Sequence, residues 1–146
     1  MNGGGSAAYR RVEIETASPS KLVVMLYNGA ISNAEEAKRA LEENDPKTAH
    51  KHLIRAQEIV TELRSALNFS AGDVAANLDR VYDYVYRLLV QANIDKETAP
   101  IEESAEHLRS LRDAWEEVFL RVAREEQATA GPAINQHGHS VLNFEG

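Results

Sequence analysis

The sequence contains no cysteine, which excludes disulfide bonds and thiolate chemistry. It has no apolar run of about eighteen residues, the length of a membrane-spanning helix, and Met1 to Ala8 lacks the basic and apolar regions of a signal peptide. Basic residues are scarce: 16 lysines and arginines face 23 aspartates and glutamates, and the net charge of −7 argues against binding to nucleic acid or to an anionic membrane. We therefore expect a soluble cytoplasmic protein with basic or uncharged partners and no membrane insertion.

Aromatic residues are also few, at 6%, whereas charged residues reach 27%, a composition that favours helices. A length of 146 residues suits a single domain. Apolar residues recur at helical spacing in four segments, which begin at Pro19, Pro46, Asp73 and Pro100 and are separated by short polar breaks. The pattern predicts an all-α, antiparallel up-and-down four-helix bundle.

Each predicted helix carries an apolar stripe that should face the bundle core. In the first two helices the stripes are Val23, Leu26, Ala30, Ala34, Ala37 and Leu41, and then Ala49, Leu53, Ala56, Val60, Leu63 and Leu67. In the last two helices they are Val74, Leu78, Val81, Val85, Leu88 and Ala92, and then Ile101, Ala105, Leu108, Leu111, Trp115, Val118 and Val122. Because several of these residues are alanines, the first two helices are expected to approach each other closely.

The bundle is predicted to span residues 18–127, with Ser18 and Asp45 as helix caps. Residues 1–17 are expected to form a short flexible arm that caps the bundle. Residues 128–146 are expected to be a disordered or loosely packed tail, because Gly131-Pro132 breaks the helical pattern.

No catalytic group, cofactor or metal site is predicted, and we do not expect an enzyme. His50 and His52 are two residues apart on a predicted helix, so they point to different faces and cannot hold one metal together. Glu103 and His107 lie one helical turn apart, a spacing typical of a solvated surface pair. The sequence also contains no glycine-rich phosphate loop.

More apolar side chains are present than the four core stripes need. The six residues Leu22–Tyr27 are all apolar or aromatic, which leaves this part of the first helix without a polar face. The third helix carries Tyr82, Tyr86 and Leu89 beside its core stripe. Two interpretations remain open: a bundle helix commonly needs a wide apolar face, and a groove that binds a partner's helix needs rigid apolar anchors.

Several segments together resemble the flagellar secretion chaperone family. The match consists of an arm with a tyrosine, a Thr-Ala-Ser-Pro cap, a Leu-Tyr-Asn-Gly-Ala-Ile segment, and parts of the third and fourth helices, at residues 8–19, 22–31, 82–89, 92–93 and 108–115. It covers residues 8–119. The resemblance implies a non-enzymatic export chaperone that binds the disordered C-terminal segment of flagellin, prevents premature polymerisation and aids delivery to the flagellar type III export apparatus.

The resemblance and the surplus apolar residues together indicate the residues that contact the client. These are Tyr9, Val12 and Ile14 of the arm, Leu22 and Met25 of the first helix, Ile59 of the second, and Tyr82, Tyr86, Leu89, Val90 and Asn93 of the third. The expected partners are flagellin and, as a chaperone–client complex, the export gate; the free chain is expected to be a monomer or a weak homodimer. The alternative function is a generic four-helix adaptor for another helical partner.

Overall fold

The computed structural model describes residues 19–68 and 72–130, and within these ranges the chain forms four helices and no strand. The helices are α1 (Pro19–Glu42), α2 (Pro46–Ser65), α3 (Asp73–Asp95) and α4 (Ala99–Ala130). The predicted all-α fold is confirmed. The predicted arm, Ser18 and residues 131–146 of the predicted tail lie outside the described residues.

The turn between α1 and α2 is built as the sequence predicts. Asn44 adopts a left-handed conformation with φ 60°, which ends α1 and lets the Asp45 N–H donate to the Ala40 carbonyl at 2.8 Å. The Asp45 carboxylate then accepts from the Thr48 N–H at 3.1 Å, and Pro46 occupies the first turn of α2. One short turn therefore terminates one helix and caps the next.

The other helix ends differ slightly from the sequence prediction. Gly72, with φ 82°, precedes α3, and the left-handed Lys96, with φ 55°, follows it, so α3 continues two residues past the predicted end near Asn93. Helix α4 continues to Ala130, three residues beyond the predicted boundary at 127. In this last turn the Thr129 hydroxyl donates to the Glu125 carbonyl at 2.6 Å.

The described residues fall into two compact units. One unit is Met25–Ala114, and the other contains residues 19–24 and 115–130. In the first unit, polar pairs join neighbouring helices in antiparallel order: Asn33–His52 for α1 and α2, His50–Asn93 and Arg64–Asp79 for α2 and α3, Tyr84–Glu103 for α3 and α4, and Asn28–Arg112 and Lys38–Glu102 for α1 and α4. These contacts are those of an up-and-down four-helix bundle.

Small residues allow the close packing of α1 and α2. Ala30, Ala34 and Ala37 are fully buried on α1, and a Cβ at Gly29 would lie only 3.3 Å from Cδ1 of Ile59 on α2. The stripe of α2 is buried as predicted from Ala49 to Leu63. Helix crossings of this kind depend on the size of the facing side chains.

The predicted core is wrong at two positions. Val74 is 62% exposed, and its neighbour Ala75 is buried instead, so the core face of the first turn of α3 is shifted by one residue. Val118 on α4 is 40% exposed, whereas Ile101 and Leu108 on the same predicted stripe are buried. At Val118 the apolar periodicity continues past the stretch of helix that the described neighbours cover.

In the second unit, aromatic and ionic contacts lie along α4. The rings of Trp115 and Phe119 stack with centroids 5.4 Å apart. Arg121 pairs with Glu117 at 3.5 Å, although both side chains are well exposed, so this pair adds little stability.

Candidate protein-binding surface

The outer face of α3 carries a shallow groove of about 400 Å³. Its lining consists of Tyr86, Arg87, Val90, Gln91, Ile94 and Asp95, and this set is called the α3 groove below. Tyr86, Val90 and Ile94 recur every four residues, so they lie one above another on the same side of the helix. Two of the three, Tyr86 and Val90, belong to the predicted client-binding residues.

The α3 groove is apolar at its centre. Ile94 is 74% exposed, the largest exposure among the large apolar side chains of the described residues, and Tyr86 and Val90 are half-buried. Moving an exposed isoleucine side chain out of water contributes about 1.5–3 kcal/mol. The groove therefore offers a favourable contact to any apolar side chain that can reach it.

Charged side chains border the groove. Arg87 is held by Asp83 at 2.9 Å one turn earlier, yet its side chain remains 76% exposed. Asp95 lines the opposite end. An apolar centre with a polar border is the usual composition of a surface that binds another protein.

Asn93 lies next to the groove in a polar chain that connects α2 with α3. Lys96 Nζ donates to Asn93 Oδ1 at 2.8 Å, and Asn93 Nδ2 lies 2.9 Å from His50 Nδ1. In this amide orientation the Asn93 nitrogen donates and His50 Nδ1 accepts. A partner that hydrogen-bonds to Asn93 would therefore have to compete with His50 and Lys96.

Three other predicted client-binding residues lie in the core. Tyr82 is 3% exposed, Ile59 3% and Leu89 0%. The Tyr82 hydroxyl forms a buried hydrogen bond with the Tyr27 hydroxyl, which links α3 to α1. These side chains support the surface helices from beneath, and none of them lines the α3 groove.

The remaining predicted residues lie elsewhere or outside the described part. Met25 and Leu22 are half-buried on α1, and Met25 belongs to the unit Met25–Ala114, whereas Leu22 belongs to the other unit. The arm residues Tyr9, Val12 and Ile14 lie outside the described residues. The structure therefore brings only Tyr86 and Val90 together in the groove, with Asn93 beside it.

Sequence reasoning missed Ile94, together with Arg87, Gln91 and Asp95. A signal for Ile94 was present, because it follows Tyr86 and Val90 at the same four-residue spacing. The predicted end of the helix near Asn93 excludes Ile94 from the helix face. The left-handed Lys96 is the feature that sets the true end of α3.

The opposite side of α3 carries a polar cluster with α4. The Tyr84 hydroxyl donates to Glu103 Oε2, and His107 Nε2 lies 3.6 Å from the same oxygen. The hydrogen bond to Glu103 raises the pKa of Tyr84 above its ordinary value of 10.0, with burial as a smaller cause. The predicted surface pair of Glu103 and His107 is confirmed, and in residues 19–68 and 72–130 no three His, Asp or Glu side chains are placed to hold a metal ion.

A second, smaller groove of about 250 Å³ lies between α1 and α4, and side chains that form ion pairs with one another line it. Lys38 Nζ lies 2.7 Å from Glu102, which raises the pKa of Lys38, and Arg109 lies 3.0 Å from Glu35. A partner binding here would have to replace these pairs. The α3 groove is the better candidate for protein binding.

Comparison with known proteins identifies the family. The family model described as flagellar protein FliS matches residues 2–122. The chain belongs to the FliS family of flagellar secretion chaperones. It is 35% identical over 126 residues to the flagellar secretion chaperone FliS of Bacillus subtilis, covering 86% of this chain and 94% of the relative.

Two further FliS proteins show similar agreement. The Salmonella typhimurium protein is 33% identical over 128 residues, 84% of this chain and 95% of its own, and the Vibrio cholerae protein is 32% identical over 120 residues, 79% and 88%. Both are named flagellar secretion chaperones. Among the described helices, none is both long enough and apolar enough to cross a membrane.

Proposed function

We propose that this chain is a cytoplasmic export chaperone that binds the C-terminal segment of flagellin. In this proposal the chaperone keeps flagellin from polymerising early and helps deliver it to the flagellar type III export apparatus, where the chaperone–client complex contacts the export gate. Membership of the FliS family supports the chaperone role. The α3 groove is the observation that supports a protein client.

The chemistry of the groove suits an apolar helical or extended segment. Tyr86, Val90 and Ile94 present apolar contacts about 6 Å apart along the helix, the rise of four residues. A client helix with large apolar residues at the same spacing can place each of them against one of these side chains. A client that is disordered when free loses several kcal/mol on ordering, so the groove contacts must offset that cost.

The other predicted client-binding residues have different roles in the proposal. Asn93 can supply a polar contact at the edge of the groove once it leaves His50. Met25, half-buried on α1, and Leu22 are further candidates, as are the arm residues Tyr9, Val12 and Ile14. Tyr82, Ile59 and Leu89 act from the core, by holding the helices that present the surface.

Calorimetry with a peptide from the C-terminal segment of the same organism's flagellin tests the proposal. We expect a one-to-one complex with a negative heat-capacity change, because apolar surface is buried. Ile94→Ser and Tyr86→Ala should each weaken binding by more than about 1 kcal/mol, or roughly fivefold or more, because apolar anchors dominate such contacts. Ile94→Ser is the sharper variant, since a side chain that is 74% exposed adds little to folding.

Matched controls come from the same helix. Val74 is an aliphatic residue that is 62% exposed, and Tyr84 is a tyrosine that is 45% exposed, but neither lines the α3 groove. Val74→Ser and Tyr84→Ala should leave the affinity unchanged. Absence of parental binding at tens of micromolar, about −6 to −7 kcal/mol, would rule out the flagellin proposal. Binding that is tight but insensitive to both groove variants would place the client elsewhere.

A further inference from the structure

The second half of α4 carries an apolar stripe that the described residues leave partly open. From Trp115, the side chains of Val118, Phe119 and Val122 share one side of the helix, and this set is called the α4 stripe below. Val118 is 40% exposed, and after Leu108 no residue of α4 up to 129 is fully buried. The sequence nevertheless continues there with the spacing of a core-facing helix.

The chain that follows α4 has the composition of a segment that packs against protein. Residues 131–146 lie outside the described residues, and they contain one charged side chain, Glu145. They also contain four large apolar residues, Ile134, Val141, Leu142 and Phe144. Segments that remain solvated are usually poor in such residues and rich in charge.

The same segment has the length to return along α4. Trp115 lies about 22 Å from Ala130 at 1.5 Å per residue of helix, whereas residues 131–144 span up to about 45 Å when extended. Gly131-Pro132 stops the helix, because proline cannot continue it and glycine permits a sharp change of direction. Leu142 and Phe144 would share one side of an extended segment, as residues two apart do.

Polar groups at the end of α4 also suit the returning segment. The last turn of α4 carries no basic residue, although Glu125 and Glu126 lie close to this negative end of the helix. His137 and His139 supply ring N–H donors shortly after the helix ends. Donors at this position are complementary to the carboxylates and to the free carbonyls of the final turn.

We propose that residues 133–144 fold back and pack Ile134, Val141, Leu142 and Phe144 against the α4 stripe of the same chain. The occupant of this surface is therefore an internal segment, and the proposal does not depend on the identity of the client. Leu120, 60% exposed, lies roughly 200° around the helix from Val118 and remains outside the contact.

Trp115 gives a direct readout, because it is the only tryptophan in the sequence and belongs to the α4 stripe. The full chain is compared with a chain that ends at Ala130 and with the double variant Leu142→Ser, Phe144→Ser. We expect both changes to shift Trp115 emission to longer wavelength and to increase its quenching by acrylamide. Amide hydrogens of residues 115–126 should exchange about tenfold faster, since local protection is lost.

The control variant Asn135→Ser, Asn143→Ser replaces two polar residues of the same segment and should match the parent. In the full chain, Val118→Ser should shift Trp115 emission as truncation does. In the chain that ends at Ala130, the same substitution should cause no further shift. Leu120→Ser should leave the emission of Trp115 unchanged. If circular dichroism shows that truncation also reduces the helix content, the test rests on the emission and hydrogen exchange of the full-length double variant. Equal emission and exchange in the parent and the double variant would overturn the proposal, as would a shift that appears only with dimerisation in sedimentation.

Discussion

At the scale of single residues, Arg64 makes an extensive polar contact between two helices. Its Nε lies 2.6 Å from Asp79 Oδ1, and its Nη1 lies 3.3 Å from Asp83 Oδ1, so one guanidinium on α2 binds two carboxylates on α3. The hydrogen bond from Arg64 lowers the pKa of Asp79 below its ordinary value of 3.8. The same contact raises the pKa of Arg64. The pair thus favours folding only while Asp79 is ionised.

This contact makes stability depend on acidity in a defined range. Because the folded-state pKa of Asp79 is depressed, its contribution is fully present above the unfolded value of 3.8 and is lost as the pH falls through the lower folded value. A double-mutant cycle with Asp79→Asn and Arg64→Gln, measured by urea unfolding, should give a favourable coupling at neutral pH that disappears in acid. Coupling that persists unchanged well below pH 3.8 would contradict this assignment.

Two tyrosines four residues apart show what the sequence could not decide about the site. Tyr82 and Tyr86 both lie beside the predicted core stripe of α3, and both were predicted to contact a client. In the structure Tyr82 is buried against Tyr27, whereas Tyr86 lines the α3 groove. The difference depends on a contact across 55 residues of sequence, which periodicity within one helix does not contain.

At the scale of helices, the chain depends on left-handed residues to end them. Asn44 and Lys96, with φ 60° and 55°, follow α1 and α3. Asparagine tolerates this conformation better than most residues, but lysine does not. Left-handed backbone costs a residue with a Cβ about 1–2 kcal/mol, so Lys96 stores a local strain that glycine would remove.

We predict that Lys96→Gly stabilises the protein by about 0.5–1 kcal/mol, because relief of strain exceeds the extra entropy that glycine gives the unfolded chain. The matched control is Lys96→Ala, which also removes the hydrogen bond from Lys96 to Asn93 but keeps a Cβ. Thermal unfolding should place the glycine variant about 2 °C or more above the alanine variant. Equal melting temperatures would show that the left-handed residue carries no such strain.

Local signals predicted most helix boundaries but not all. Asp45 and Pro46 fix the start of α2 through chemistry that is complete within four residues, and the structure confirms both. The predicted ends of α3 and α4 are too early, since Lys96 is not a typical stop signal and two of the residues 128–130 are alanines, which favour helix. The apolar spacing of α3 predicts Val74 in the core. In the structure Ala75 occupies the core face of the first turn instead, and Val74 is exposed.

At the scale of the whole molecule, apolar burial among the described residues is concentrated in one of the two compact units. Within residues 19–68 and 72–130, every buried apolar residue lies between Tyr27 and Leu108, within Met25–Ala114. Helix α4 contributes to both units: its buried residues all lie between positions 100 and 108, and its described residues from 109 to 129 are half-buried or exposed. Since apolar burial is the main favourable term in folding, stability should be distributed along this helix in the same way.

The last prediction follows from that distribution. Amides of residues 101–108, which surround Ile101, Ala105 and Leu108, should exchange hydrogen only through global unfolding. Amides of residues 116–127 should exchange at least about 100-fold faster, equivalent to roughly 2.7 kcal/mol less protection, because local opening exposes little additional apolar surface. Amides of residues 30–37 in α1, which include three fully buried alanines, provide the slow reference. Hydrogen exchange followed by mass spectrometry would contradict the prediction if both halves of α4 exchanged at the same rate. The proposed contact of residues 133–144 slows exchange in residues 115–126 only about tenfold, so a clear difference in exchange rate between the two halves should remain.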